Sequence, residues 1–478
     1  MKRLQTSAAP RPGPLGLVAL AGLALLAGCR VGPDFAVPQT SVPPGWSSSA
    51  PTAAAADSTS LARWWTTFHD PTLAGLIEEA LRSNLDLRLA SARLRQARAT
   101  HRVATADCGP TLDAAGSARR SQTAAGADNP GSPTVNAYQA GFDASWEIDF
   151  FGGGRRSQEA ALADVLSSEE ARRAVQVSLV AEVAQTYIDL RTQQQRTLIA
   201  RRHLGAQRRA LEVVRQRRAA DFVSGLDVAS AEAQVATLEA QVPLLEASAC
   251  QTLQALSVLL GREPGALSPS LSEPAPLPTE PPAVPIGLPA DLLRRRPDIR
   301  AAEASIHAAT ARIGVAVADL YPKVTLGVST GVQAVSAGDL LDPQSRFWSF
   351  GPSVTWRVFD SGRTLSVIAV QKALEEQSLL TYRQAVLAAL QEVENALVAS
   401  AKAQAHRASL DAAVTANRRA VALATQLYEA GQREYLDVLD AQGALHSAED
   451  ALVQSTGAAS THLITLYKAV GGGWEVPL

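Results

Sequence analysis

The chain repeats itself at an offset near 210 residues, and no other property restricts its fold as strongly. Asn84-Leu85-Asp86-Leu87-Arg88 lines up with Arg296-Pro297-Asp298-Ile299-Arg300, Asp107 with Asp319, and Pro110 with Pro322. Farther along, Gly141 and Trp146 match Gly351 and Trp356, and Asp227-Val228 matches Asp437-Val438. A constant offset over matches this widely spread marks a duplicated unit that forms the same elements in the same order twice. The spacing predicts a first unit over residues 63–263 and a second over 290–470, followed by a short tail over 471–478. Between the units, the Pro-rich stretch 264–289 suits a crossover linker.

Within each unit the order reads helix, two strands, a very long helix, a tight turn and a returning helix. The strands carry the clearest pattern. In Tyr138–Phe150 the even positions are Tyr138, Ala140, Phe142, Ala144, Trp146, Ile148 and Phe150, and the odd ones are polar or Gly. Trp348–Val358 and Val324–Ala334 alternate in the same way, and Thr111–Arg120 is a weaker fourth strand. Period-two alternation puts every apolar side chain on one face of a strand. Strands of about ten residues are long enough to cross a bilayer at a tilt. The strand pairs are expected at about residues 110–150 and 323–359, with the apolar faces toward lipid.

Four strands cannot close a barrel, and an open edge in lipid would leave its backbone groups without partners. The missing strands must come from other copies of the chain. Two copies of a four-stranded unit give eight strands and three give twelve. An eight-stranded barrel is filled by its own side chains, so a conduit favours three.

The helices account for most of the remaining mass. From about Arg155 to Ala219 there is no Pro and a single Gly, and Arg363 to Ala430 has neither. At 1.5 Å per residue each would be roughly 100 Å long, which fits coiled-coil or helical-barrel packing better than a compact domain. The returning helices are expected at about Asp227–Leu260 and Asp437–Val470, so the hairpins run over about 154–260 and 362–470 with tips near 219–227 and 429–437. The second tip has Gly431 where a left-handed C-cap suits glycine. The first has Asp221 there and a glycine only at Gly225, which leaves its turn geometry open.

At the N-terminus, Lys2, Arg3 and Arg11 precede the apolar run Leu15–Ala27, which ends in Leu26-Ala27-Gly28-Cys29. That run has the length of a secretory signal core and is too short to span a bilayer. The ending Leu26-Ala27-Gly28-Cys29 resembles a bacterial lipobox, so residues 1–28 are expected to be a signal peptide cut before Cys29, with Cys29 the new N-terminus and the attachment point of lipid; an ordinary signal peptide with a chance cysteine at its end is the alternative. Several acyl chains on one residue anchor stably where one would be marginal. The Pro-, Ser- and Ala-rich residues 29–62 are expected to be an extended tail.

Composition narrows the function by exclusion. The net charge of −2 gives no basic face for nucleic acid, and the 5% aromatic content speaks against a large globular core. Cys29, Cys108 and Cys250 are too scattered for a disulfide framework, and the seven histidines show no metal-ligand spacing. Gly152-Gly153-Gly154 lacks the lysine of a phosphate-binding loop and reads as a strand-to-helix hinge. Neither catalysis nor a cofactor is expected. A periplasmic adaptor, the main rival, would carry one helical hairpin beside compact β-domains and not a duplication.

The segment Pro285-Ile286-Gly287-Leu288-Pro289-Ala290-Asp291-Leu292-Leu293-Arg294-Arg295-Arg296-Pro297-Asp298-Ile299-Arg300, continued by Ala302-Glu303 and Ile313-Gly314, resembles the signature of TolC-like outer membrane factors. Phe359-Asp360-Ser361-Gly362-Arg363, Glu392-Val393-Glu394-Asn395-Ala396 and Tyr435-Leu436-Asp437-Val438-Leu439-Asp440-Ala441-Gln442 extend the likeness over nearly the whole mature chain. More narrowly, it resembles the lipoprotein branch that includes OprM-type and NodT-type efflux subunits. One departure is Cys108-Gly109-Pro110, where an aromatic usually precedes the proline; a small buried apolar side chain is expected there. The resemblance implies a mainly α chain with membrane β-strands, trimerising into a twelve-stranded barrel above a periplasmic helical barrel. It further implies a homotrimer in the outer membrane that serves, with a periplasmic adaptor and an inner-membrane pump of the resistance-nodulation-division type, as an exit duct for small molecules. Ducts for polypeptides or oligosaccharides share the pattern. Leu436 and Asp440, four residues apart on one helix face, match an apolar and an acidic ring that narrow the closed tube. By spacing alone, the better reading is that Leu436 packs against neighbouring helices and Asp440 is a solvated surface carboxylate. The hairpin ends, here Val223, Gly225, Leu226, Gly431 and Tyr435, are implied to dock the adaptor.

Overall fold

The computed structural model describes residues 30–47, 61–122, 134–278, 287 and 289–475. The predicted lipid-bearing Cys29 and the signal peptide before it lie outside the described residues. The duplication is visible in element lengths. Helices α2 (Leu85–Ala106) and α5 (Pro297–Ala318) each have 22 residues, and strands β1 (Thr111–Gln122) and β3 (Lys323–Ala334) each have 12. Helices α3 (Gly153–Ala219) and α6 (Arg363–Glu429) each have 67, and the returning α4 (Gly225–Leu259) and α7 (Tyr435–Ala469) each have 35. Strands β2 (Thr134–Ile148) and β4 (Arg346–Thr355) and a leading helix α1 (Pro71–Ser83) complete the principal elements. No described helix is long and apolar enough to cross a membrane.

The strands form one antiparallel sheet in the order β1-β2-β3-β4. Its register carries the alternation across all strands. Ala114 pairs with Phe142, Phe142 with Thr330 and Thr330 with Trp348; one step away, Leu112 pairs with Ala144, Ala144 with Val328 and Val328 with Phe350. The opposite face takes Asp113, Asp143, Ser329 and Ser349 in one row, with the Ser329 hydroxyl donating to the Asp143 carboxylate at 2.6 Å. A one-residue slip would exchange these faces, so the register is fixed by the side chains. Gly141 faces Gly331, and a Cβ on either would stand within 2.5 Å of the opposing backbone, so only glycine permits this approach of β2 and β3.

The strand ends differ from the sequence expectation. Tyr138–Phe150 is found as Thr134–Ile148, and Trp348–Val358 as Arg346–Thr355. Alternation continues to Phe150 and Val358, but the partner β3 begins only at Lys323, just after Pro322, which has no N–H to donate. Past Ile148 the chain turns instead, and the Asp149 carboxylate accepts the Arg155 backbone N–H at 2.9 Å. Gly152 has φ +79°, while a Cβ on Gly154 would meet the Cys108 sulfur at 2.7 Å, so the three glycines act as the expected hinge. Cys108 is half-buried there.

Two compact units result, one comprising residues up to Gln39, Leu94–Ser168 and Ala302–Tyr382, the other Thr40–Arg93, Glu169–Ala301 and Arg383–Leu478. The second has a true core, against the expectation from scarce aromatics. Trp64, Trp65, Phe68 and Tyr187 are buried, and Trp64 stacks on Tyr467 at 5.0 Å. Leu61 belongs to this core, so the tail ends earlier than residue 62. The linker is likewise held rather than free over its first part. Leu267 and Leu271 are buried, and Gln194 and Gln195 of α3 donate to the Leu271 and Ala275 carbonyls at 2.6 and 2.8 Å. A short helix starts already at Pro289.

The Arg-Pro-Asp segment closes this unit. Pro297 opens α5, and Arg296 is buried with the Nε and one Nη of its guanidinium on the Asp298 carboxylate, at 3.0 and 2.7 Å. It also donates to Glu392 at 2.7 Å and to the Ala469 carbonyl at 2.9 Å, an otherwise open acceptor at the end of α7. In the first repeat Asn84 stands in its place and donates to the Leu259 carbonyl at 2.8 Å, at the end of α4. Each returning helix is thus tied to the start of its own repeat by a different side chain in the same position.

Both hairpins turn alike. Asp221 and Gly431 take left-handed backbone, φ +57° and +72°. In each, that residue's N–H bonds three residues back (to Arg218 or Tyr428) and the next N–H bonds five back (to Arg217 or Leu427). This is the same helix-ending motif. Asp221 therefore keeps the geometry of its glycine counterpart.

Two outcomes follow from these features. Phe142→Arg, mid-strand on the apolar face, should cost about 2–4 kcal/mol near a bilayer midplane, whereas Ser145→Arg should be much milder. The yield of folded channel in membranes would show this, and equal loss at both positions would contradict a lipid-facing even side. Asp221→Gly should relieve left-handed strain and stabilise the first hairpin by about 0.5–1 kcal/mol, while Gly431→Ala should destabilise the second by a similar amount. Amide hydrogen exchange at the turns should slow in the first variant and quicken in the second.

Candidate functional site: the hairpin ends

The hairpin ends are built on a small core of their own. Leu211 and Val214 of α3, Ala231 and Val235 of α4, and Tyr435, Val438 and Leu439 of α7 pack together, with Val223 and Tyr428 against them. Helix α4 starts on a capping box: Ser224 accepts from the Asp227 N–H, and the Asp227 carboxylate accepts from the Ser224 N–H at 2.8 Å. In the second hairpin Glu434 stands at that position without a side-chain cap, so the start of α7 lacks this support.

Tyr435 is 5% exposed, so its side chain supports the tip from within. Its ring lies 5.3 Å from that of Tyr428, and its hydroxyl has no hydrogen-bond partner among the described residues. Burial, with a smaller contribution from Tyr428, pushes its pKa up to about 12, so it stays neutral. The Arg217 guanidinium lies 4.6 Å above the Tyr428 ring and joins the first hairpin to the second. Farther along, Gln207 donates to Gln442 at 2.7 Å, His203 meets Glu449 at 2.9 Å, and Arg196 grips Asp450 with two bonds at 2.7 and 3.1 Å. Glu449 also takes Arg418 at 2.7 Å. Burial opposes its ionisation, but the His203 and Arg418 bonds prevail and hold its carboxyl below the usual range.

Leu436 and Asp440 lie on the other face of α7, away from Tyr435, Val438 and Leu439. Leu436 is 50% exposed and Asp440 is exposed. The packing reading for Leu436 is thus not realised within one chain. At the repeat offset Leu436 corresponds to Leu226, which is 74% exposed, and Asp440 to Ser230. Gly225 is the first residue of α4, while Gly431 is the turn itself, so the two glycines occupy different places. Phe222, beside the turn at 81% exposure, escaped the sequence reading. Aligning it with Gln432 would have exposed an aromatic where the other repeat is polar. No group of three or more His, Cys, Asp or Glu among the described residues could hold a metal ion.

The chain matches the model of the outer membrane efflux protein family over residues 76–262 and 288–472, once per repeat. It is 32% identical to the outer membrane protein OprJ of Pseudomonas aeruginosa over 463 residues, covering 96% of each chain. It is also 32% identical to the cation efflux system protein CusC of Escherichia coli, covering 94% of this chain and 97% of that one. Among solved structures, the outer-membrane channel OprN superposes with a TM-score of 0.87 at 37% identity, over 93% of this chain and all of that one. With both halves matched in turn and its relatives covered nearly in full, the chain belongs to the outer membrane efflux protein family.

Proposed function

We propose that three copies of this chain assemble into a lipid-anchored exit duct in the outer membrane, working with a periplasmic adaptor and an inner-membrane pump. The observation that carries this reading is a sheet with one continuous apolar face and, among the described residues, two open edges, joined directly to duplicated helical hairpins. Three sheets joined edge to edge would close a twelve-stranded barrel, with the Asp113, Asp143 and Ser329 face lining the lumen. The helices would continue the path into the periplasm. The resemblance to pump-linked subunits of the resistance-nodulation-division type extends to this chain the same class of pump.

Cargo is read as small molecules such as drugs, and selection among them belongs to the pump. OprJ and a cation efflux protein are equally similar to this chain, which supports a duct that does not itself choose. A duct for polypeptides or oligosaccharides would use the same architecture, and transport assays with a matched pump would separate the two.

Leu436 and Asp440 serve as the gate. Threefold symmetry would bring three copies of each to the axis, the leucines constricting the path and the carboxylates favouring cations. Ser230 and Leu226 at the equivalent positions of the first hairpin leave the acidic ring to the second hairpin alone. The hairpin ends dock the adaptor through the exposed Phe222 and Leu226 and the half-buried Val223, with Gly225 and Gly431 shaping the turns and Tyr435 bracing them from within. Opening requires the second hairpin to move against Arg217, Gln207, His203 and Arg196.

Single-channel recordings on the purified channel should show larger conductance in Leu436→Ala and Asp440→Ala than in wild type. Cation preference should fall without Asp440. A double variant that keeps its assembly yet leaves conductance and selectivity unchanged would place the constriction elsewhere.

A further inference from the structure

The described chain begins in a tight site of its own. Arg156, in the first turn of α3, is 1% exposed. Its guanidinium donates to the Val31 carbonyl at 3.1 Å, the Gly32 carbonyl at 3.4 Å, Asp34 at 2.7 Å and Glu159 at 2.9 Å. The Val31 N–H bonds to the Phe151 carbonyl at 3.2 Å, just past the end of β2. Arg30 reaches Glu159 at 2.5 Å, and the Phe35 ring stacks on His307 at 4.5 Å, which in turn meets Glu159 at 3.0 Å. Burial alone would raise the Glu159 pKa, but the His307 and Arg156 bonds dominate and hold it below the usual range, so it remains a charged partner.

Two glycines make room for this arrangement. Gly32 has φ +88°, and a Cβ there would come within 2.5 Å of the Gly314 Cα. A Cβ on Gly314 would stand 2.8 Å from the Arg156 side chain. Tail, α5 and α3 therefore interlock at a single point, and Ile313-Gly314 in the sequence is half of that fit.

The lock lies just past the end of β2. Trp146, near the end of β2, and Trp356, just past β4, lie at this end of the sheet, their indole N–H groups donating to the Cys108 and Leu320 carbonyls at 2.9 and 3.1 Å, and Phe151 stacks on Tyr321 at 4.7 Å. Amphipathic aromatics of this kind mark a membrane–water interface. Cys29 directly precedes Arg30 in the chain.

We infer that Arg156, Glu159, His307 and Gly314 form a docking site for the chain's own N-terminal segment, Val31–Phe35, which seats the lipid-bearing end at the aromatic belt instead of leaving it on a loose tether. This rests on the proposed lipidation of Cys29 and adds to it a fixed position. The lock leaves little slack: one residue separates the acylated cysteine from a backbone hydrogen bond at the strand–helix junction.

Limited trypsin digestion of the purified full-length channel, followed by mass spectrometry of the N-terminal peptide, tests it. The Arg30–Val31 bond should resist cleavage in wild type. In Arg156→Ala, which removes four hydrogen bonds, and in Gly32→Ala, whose Cβ would meet the Gly314 backbone, it should be cut at least about tenfold faster, the change that even one lost charge-assisted hydrogen bond implies when cleavage follows the open population. Gly32 lies outside every strand and helix, so that variant keeps the channel fold even if Arg156→Ala does not. Equal cleavage in all three proteins would overturn the lock. A protected bond with no acyl mass on the peptide would overturn the lipid seating while the lock itself stood.

Discussion

Unpaired backbone groups along a sheet edge set the terms for this protein. Among the described residues, the outer edges of β1 and β4 have no strand beside them, yet the face they share is apolar from Leu112 to Val354. A surface of that kind belongs in lipid, and lipid supplies no hydrogen-bond partner for an open edge. One chain therefore cannot be the finished structure in a membrane. The proposed closure by further copies follows from this backbone requirement more than from any individual side chain.

Duplication meets the requirement economically, because one design problem is solved and then repeated with local changes. The two repeats share element lengths and turn geometry, but not their fastening residues. Asn84 and Arg296 reach the same carbonyl position with an amide in one case and a guanidinium in the other. Ser224 caps its helix where Glu434 does not, and Leu226 and Ser230 stand opposite Leu436 and Asp440. The repeats hold the fold in common and differ at the hairpin ends, where the proposed gate and docking surfaces lie.

Much of this was legible in the sequence because it rests on periodicity. The offset, the two-residue alternation and the long runs without proline gave the element order, and the long helices differ from expectation by one or two residues at their ends. What stayed hidden depends on contacts between distant residues. Alternation persists to Phe150 and Val358, but a strand ends where its partner ends, and that was set by Pro322 far away in sequence. The buried cluster of Trp64, Trp65 and Tyr467 joins the two ends of the chain, so low aromatic content understated it. Tyr435 lies in a motif shared with exposed residues, and only packing reveals that it faces inward. The first turn was ambiguous because Asp tolerates left-handed backbone less readily than Gly, although it does adopt it here.

The most direct measurement is the number of chains in the intact channel, obtained by native mass spectrometry after extraction in mild detergent. Closure of the open edges into a twelve-stranded barrel predicts a single species of three chains that converts to monomers only on denaturation. A channel-competent species of one or two chains would contradict the account.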